Sequence, residues 1–225
     1  MPGRPGARGV RATGEAQLRN LAQRSGGTGR AVVRVPDPEE EKHGRGDRPR
    51  ARVVTVMGVD PGIMATGFGV LEARAGGVGV VDAGVINTSP GQALEARLNA
   101  LYGAVHRVID AQKPNLLIVE DLYTEYKFPR TAVLMGHARG VIYLAARQLG
   151  VAVLALAPSE VKRAVTGNGS AGKAQVQRAV QTLLGLESLP RPSHVADALG
   201  LAVTGMARIT GRLPAGRATP RQIVR

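Results

Sequence analysis

Val53-Val54-Thr55-Val56-Met57-Gly58-Val59-Asp60-Pro61-Gly62 is the stretch on which the fold turns. Up to Val59 it is apolar and β-branched but for one glycine. It is short and shows no alternation, as in a strand buried on both faces. Asp60-Pro61-Gly62 closes it with turn chemistry. Working outward, residues 67–73 and 78–86 read as two more strands, with Gly76-Gly77 as a hairpin turn. Three strands with short links make an antiparallel meander. Then the period changes. Leu94, Leu98, Leu101, Val105 and Val108 recur at helical spacing through residues 92–112, and Pro114 stops that helix. Leu116-Leu117-Ile118-Val119-Glu120 is a fourth buried strand. A helix over 131–149, a fifth strand over 151–156, and helices over 159–164, 173–184 and 194–208 follow, the last with Ser193 as N-cap. The order implies an α/β fold: a mixed five-stranded sheet, an antiparallel meander plus parallel strands, flanked by helices on both faces.

The rest of the 225-residue chain is different. Residues 1–50 hold 9 Gly and 5 Pro and read as a basic, low-complexity arm. The expected organisation is an arm over 1–52, one domain over 53–209 and a basic tail over 210–225. The formal net charge is +13, of which residues 51–225 carry +8, so the domain itself is basic. That balance points to a polyanionic partner, nucleic acid before membrane. Cysteine is absent, which excludes disulfides, a thiol nucleophile and a Cys-based zinc site. No apolar stretch reaches the length of a membrane span or a secretory signal. The expected location is cytoplasmic.

Asp60 and Glu120 each end an apolar strand. A carboxylate among buried residues is costly unless something pairs with it, and a bound cation is one solution. Taken singly, each also reads as an ordinary turn or strand-end acid. His194 and Asp197 are three apart on the last helix and share a face. Helix-dipole chemistry alone accounts for Asp197 but not for His194, because a cationic histidine is unfavourable at an N-terminus. Together these four suit hard divalent cations, and a pair of cations can clamp a phosphodiester undergoing hydrolysis. A basic protein with such a set reads as a metal-dependent nuclease.

Of six aromatics in the chain, Tyr123, Tyr126 and Phe128 fall just after Glu120, interleaved with Lys127 and followed by Arg130. Aromatics and cations on a loop suit base stacking and backbone contact, or a loop folded back on the domain. Gly167-Asn168-Gly169-Ser170-Ala171-Gly172-Lys173 fits the start of a nucleotide phosphate loop. Ala174 stands where a magnesium-binding hydroxyl belongs, and residues 158–166 before it look helical rather than a buried strand. A nucleotide-dependent phosphotransferase or ATPase is therefore the runner-up, followed by a non-catalytic DNA-binding protein of the same fold. Lys173, with Lys162 nearby in sequence, still suits a DNA backbone.

These pieces together resemble the RuvC family of Holliday-junction resolvases, in the RNase H-like superfamily. The matching segments are Gly58-Val59-Asp60-Pro61-Gly62 with Thr66-Gly67-Phe68-Gly69-Val70, Ile118-Val119-Glu120, Gly136-His137-Ala138-Arg139-Gly140-Val141, Pro158-Ser159-Glu160-Val161-Lys162, the glycine loop through Val176, and His194-Val195-Ala196-Asp197-Ala198-Leu199. The resemblance implies an RNase H-like homodimer that nicks two like-polarity strands of a four-way junction, leaving 5′-phosphate and 3′-hydroxyl ends. It implies Asp60, Glu120, His194 and Asp197 as catalytic metal ligands for Mg2+, two ions per site, with Mn2+ able to substitute. It also implies DNA contacts at Tyr123, Lys162 and Lys173, and the RuvA–RuvB branch-migration complex as partner. Asp121 replaces the Gln usual after the strand-end Glu, adding negative charge. Some members carry Asp where this chain has His194. The arm lies outside the family pattern, as expected if translation starts near Val53.

Tyr123→Ala is expected to lower cleavage of four-way junctions more than it lowers thermal stability, because stacking on a base is worth ~1–3 kcal/mol. Tyr123→Phe should be mild. A Tyr123→Ala protein that melts far below wild type yet binds junction normally would make the ring a core residue.

Overall fold

A computed structural model describes residues 53–74, 77–121 and 129–215. The strands are β1 (Val54–Asp60), β2 (Ala65–Arg74), β3 (Gly77–Asn87), β4 (Leu116–Glu120) and β5 (Ala152–Leu156). The helices are α1 (Leu94–Gln112), α2 (Pro129–Gln148), α3 (Pro158–Thr166), α4 (Lys173–Leu184) and α5 (Ser193–Thr210). All five expected strands and all five expected helices are present, with ends shifted by at most two residues. The sheet order is β3-β2-β1-β4-β5. β1 pairs antiparallel with β2, and β2 with β3, while β1, β4 and β5 run parallel. The Gly76-Gly77 turn falls partly outside the described residues, as do the arm over 1–52 and most of the tail.

Period-2 alternation divides the sheet into two faces. Val56, Leu71, Leu116, Ile118 and Leu156 point to one face, covered by α3, α4 and α5. Met57, Val59, Phe68, Val70, Leu117 and Val119 point to the other, covered by α1 and α2. β1 is buried on both faces, which explains its uninterrupted apolar character.

α5 lies unusually close to the sheet. A Cβ at Gly58 would sit 2.1 Å from the Ala198 carbonyl oxygen and 2.6 Å from the Ala202 nitrogen. One at Gly67 would sit 2.1 Å from the His194 carbonyl oxygen. Both obstacles are backbone, so neither can swing aside. Only glycine lets α5 reach this depth. The contacts run from His194 at Gly67 to Ala202 at Gly58, so α5 is antiparallel to β1 and begins at the C-terminal ends of β1 and β4.

Ser193 is not the N-cap of α5. The Pro192 carbonyl already accepts from the Val195 amide at 3.0 Å, so Pro192 is the cap and Ser193 is the first helical residue.

Gly58→Ala is expected to cost more than ~2 kcal/mol, since the added methyl meets backbone on both sides. In a domain of this size that is a fall of about 5 °C or more in Tm. Gly103→Ala, where only a flexible Arg107 side chain lies near at 3.4 Å, should hold or raise Tm. Equal melting of Gly58→Ala and wild type would refute the close packing of α5.

Candidate metal centre in a basic cleft

Register carries two acids to one place. Val59 pairs with Val119, so Asp60 and Glu120 are neighbours at the C-terminal ends of adjacent parallel strands. Asp60 shares the face of Val56 and Gly58, and Glu120 shares the face of Ile118. Both carboxyls therefore point toward α5. The N-terminal end of α5 adds His194 and Asp197 from above.

The side chains meet closely. His194 Nδ1 lies 2.7 Å from Asp60 Oδ2. One ligand atom from each of Asp60, His194 and Asp197 lies within 4.8 Å of the others. Glu120 lies beside this group, close enough for the charges of Asp60 and Asp197 to act on it, and lines the same cleft. Asp60 is only 7 % exposed. The turn after it is tied down: Thr66 Oγ1 donates to the Gly62 carbonyl at 2.6 Å. Arg97 Nη2 donates to the Ile63 carbonyl at 3.1 Å, and Arg97 Nε to Thr88 Oγ1 at 3.0 Å.

Crowding of negative charge governs the protonation. Burial first, then the charges of Asp60 and Asp197, push the Glu120 carboxyl from its ordinary 4.5 up to about 8, partly opposed by Lys162. Burial and Asp60 also raise Asp197, while Lys173, His194 and Lys162 oppose that rise. The protein by itself does not neutralise this cluster. Carboxylate oxygens with one imidazole suit a hard divalent cation, so the donor set fits a metal such as Mg2+ or Mn2+.

The cluster lines a cleft of about 550 Å³. Lys162 from α3 and Lys173, the first residue of α4, line the same cleft. Two lysines that are eleven apart in sequence thus face the acids. Across from them the wall is Ile63, Met64, Leu134 and Met135. The expected DNA contact Arg130 is exposed in the first turn of α2 and is not among the lining residues. Tyr123, Tyr126 and Lys127 lie outside the described residues. The element before the glycine loop is α3, a helix, so the strand-loop-helix context of a nucleotide phosphate loop is missing.

Sequence reading missed Arg139. It is buried on α2, among Ala138, Ile142 and Ala145, and reaches the end of β4. A lone arginine on an otherwise apolar helix face was the signal. Asp121, the added acid next to Glu120, pairs with it at 3.1 Å.

The model of the family described as crossover junction endodeoxyribonuclease RuvC matches residues 56–205. The chain belongs to the RuvC family. A RuvC crossover junction endodeoxyribonuclease of Pelotomaculum thermopropionicum is 45 % identical over 148 residues, covering 66 % of this chain and 90 % of that one. One from Rhodopirellula baltica is 41 % identical over 150 residues, covering 67 % and 84 %. The Thermus thermophilus RuvC structure superposes with a TM-score of 0.65 at 34 % identity, covering 72 % of this chain and 99 % of that one. T. thermophilus RuvC in complex with a Holliday junction substrate superposes with a TM-score of 0.63 at 32 % identity, covering 72 % and 98 %. The RuvC match thus spans β1 through most of α5, and the RNase H-like architecture is that of the family.

The raised Glu120 carboxyl has a measurable consequence. The folded protein binds this proton more tightly than the unfolded chain. Its stabilising contribution is therefore full below pH 4.5 and lost as pH rises toward about 8. Metal-free wild type should lose Tm across that window. Glu120→Gln should melt above wild type at pH 8 and converge with it at acid pH. A Glu120→Gln protein that melts below wild type at pH 8 contradicts this electrostatic account.

Proposed function

We propose that this chain resolves four-way (Holliday) junctions by paired, symmetric nicks, acting as a homodimer with two Mg2+ ions per active site. It is a crossover junction endodeoxyribonuclease of the RuvC family, and the finer reading concerns how it cuts. The observation that carries it is the cluster of Asp60, His194 and Asp197, with Glu120 beside it, in a cleft that two lysines also line.

In this reading Asp60, Glu120, His194 and Asp197 hold the ions. When bound, divalent cations supply positive charge for the attacking water and for the departing oxygen of the phosphodiester. The side chains do the rest. Because burial and the neighbouring acids hold the Glu120 carboxyl protonated to about 8, holding a cation would require it to lose that proton, so ion binding would strengthen with pH. Asp60 accepts from His194 Nδ1 and so fixes the imidazole plane. Lys162 and Lys173 offset the charge of the incoming phosphate. Cleavage at the P–O3′ bond adds water to phosphorus and returns a proton to the 3′-oxygen, leaving 5′-phosphate and 3′-hydroxyl ends. Mn2+ substitutes for Mg2+, since both take oxygen ligands.

Residues 53–209 form the nuclease domain, with the arm over 1–52 and the tail over 210–225 outside it. Tyr123, Tyr126, Lys127 and Arg130 extend the DNA contact beyond the cleft. The RuvA–RuvB branch-migration complex delivers the junction, and the setting is the cytoplasm. No helix among the described residues is long and apolar enough to cross a membrane.

Asp60→Asn, Glu120→Gln and Asp197→Asn should each lower Mg2+-dependent nicking of a four-way junction by more than about 100-fold. Junction binding in Ca2+ should change by less than about threefold, because an amide keeps the shape and removes only the charge. Near wild-type nicking by any of the three removes that residue from the ligand set.

A further inference from the structure

β1 and β4 come apart where the two acids meet. The Asp121 amide donates to the Leu156 carbonyl at 2.8 Å, so the odd-numbered residues of β4 bond toward β5. The even-numbered ones then bond toward β1. Continuing the Val59–Val119 register, the Glu120 carbonyl should next accept from the amide of residue 61. Residue 61 is proline and has no N–H to give. The ladder stops there: Glu120 stays paired with Leu156 of β5, but on the β1 side its carbonyl has no amide to accept from.

Arg139 occupies that gap. Arg139 is 9 % exposed. Nη1 donates to the Glu120 carbonyl and, at 3.1 Å, to Asp121 Oδ1. Nη2 donates to the Tyr143 hydroxyl, and the group stacks over the Tyr143 ring at 5.2 Å from its centroid. A buried cation is expensive, and its acid partner Asp121 is half exposed, so the ion pair alone is a weak reason for placing it there. Its planar fork matches this job as an ammonium does not.

We infer that Arg139 is a positioning residue: it replaces the amide that Pro61 lacks, closes the β1–β4 sheet at Glu120, and holds the Glu120 carboxyl on the cluster with Asp60, His194 and Asp197. This rests on the metal-centre reading above and adds a residue that does not line the cleft.

The test combines metal binding, kinetics and a second-site rescue. Arg139→Gln should weaken Mn2+ binding, read by calorimetry below Tm, by about 10-fold. It should lower kcat for junction nicking by about 10- to 100-fold, with KM and junction affinity in Ca2+ within about threefold of wild type. Arg139→Lys should recover only part of the loss. Pro61→Ala restores an N–H at residue 61, so the Pro61→Ala/Arg139→Gln double variant should regain Mn2+ affinity and kcat relative to Arg139→Gln. A merely structural role predicts no such recovery. Wild-type Mn2+ affinity and kcat in Arg139→Gln overturn the inference. So does lost junction binding with metal affinity intact, which would make Arg139 a DNA contact. If Arg139→Gln does not fold, Arg139→Lys carries the same readouts, and wild-type values there overturn it. Glu120→Gln run in parallel separates the two layers. If it too nicks and binds Mn2+ normally, the metal-centre reading fails. If it is inactive while Arg139→Gln is normal, only the role of Arg139 fails.

Discussion

The contact of α5 with the floor of β1 and β2 is what the rest of the molecule depends on. Gly58 and Gly67 remove the Cβ atoms that would meet the helix backbone at about 2 Å. The helix can then lie against the sheet with its first turn over the ends of β1 and β4. One helical turn supplies His194 and Asp197, and two strand ends supply Asp60 and Glu120. A helix held even a side-chain layer further out would leave four separate polar residues and no centre. The site is built on strands and a helix rather than on loops, which suits a constellation that must be held to fractions of an ångström.

Bringing those groups together works against stability. Three acids converge in a largely buried place, and the two lysines and His194 facing them offset only part of the charge. The metal-free fold answers by keeping a proton on Glu120. A divalent cation held by these groups would displace that proton, so metal binding would be linked to deprotonation and would stabilise the fold. The large apolar layers on both sheet faces are what make this tolerable.

The basic character of the domain is also given a location. Lys162 and Lys173 come from different helices, and both face the acids across the cleft. Charges of opposite sign thus line one cleft, the acids and His194 on one hand and the two lysines on the other. The glycine loop before Lys173 resembles a nucleotide cradle in composition alone. A helix precedes it where a buried strand is needed, and Ala174 offers no hydroxyl, so it serves to start α4 with its lysine at the cleft.

Most of the fold was legible in the sequence because its signals are local. The apolar run before Asp60, the 3.6-residue spacing from Leu94 to Val108, and the Pro and Gly punctuation each act over a few residues. Asp60, Glu120, His194 and Asp197 stood out because each is polar beside an apolar pattern. What tertiary structure decided was long-range. The order β3-β2-β1-β4-β5 makes β1 and β4 neighbours, and no local pattern states that order. Register and parity then aim both carboxyls at α5. The Ser193 cap was misplaced because a backbone carbonyl, that of Pro192, took the role a side chain was expected to fill. Arg139 went unassigned because its purpose depends on a missing N–H at Pro61, just past the end of β1 and 78 residues away. Periodicity within one segment tells which face is apolar. It cannot tell which segment will stand opposite, because that choice is made by the packing of the whole sheet.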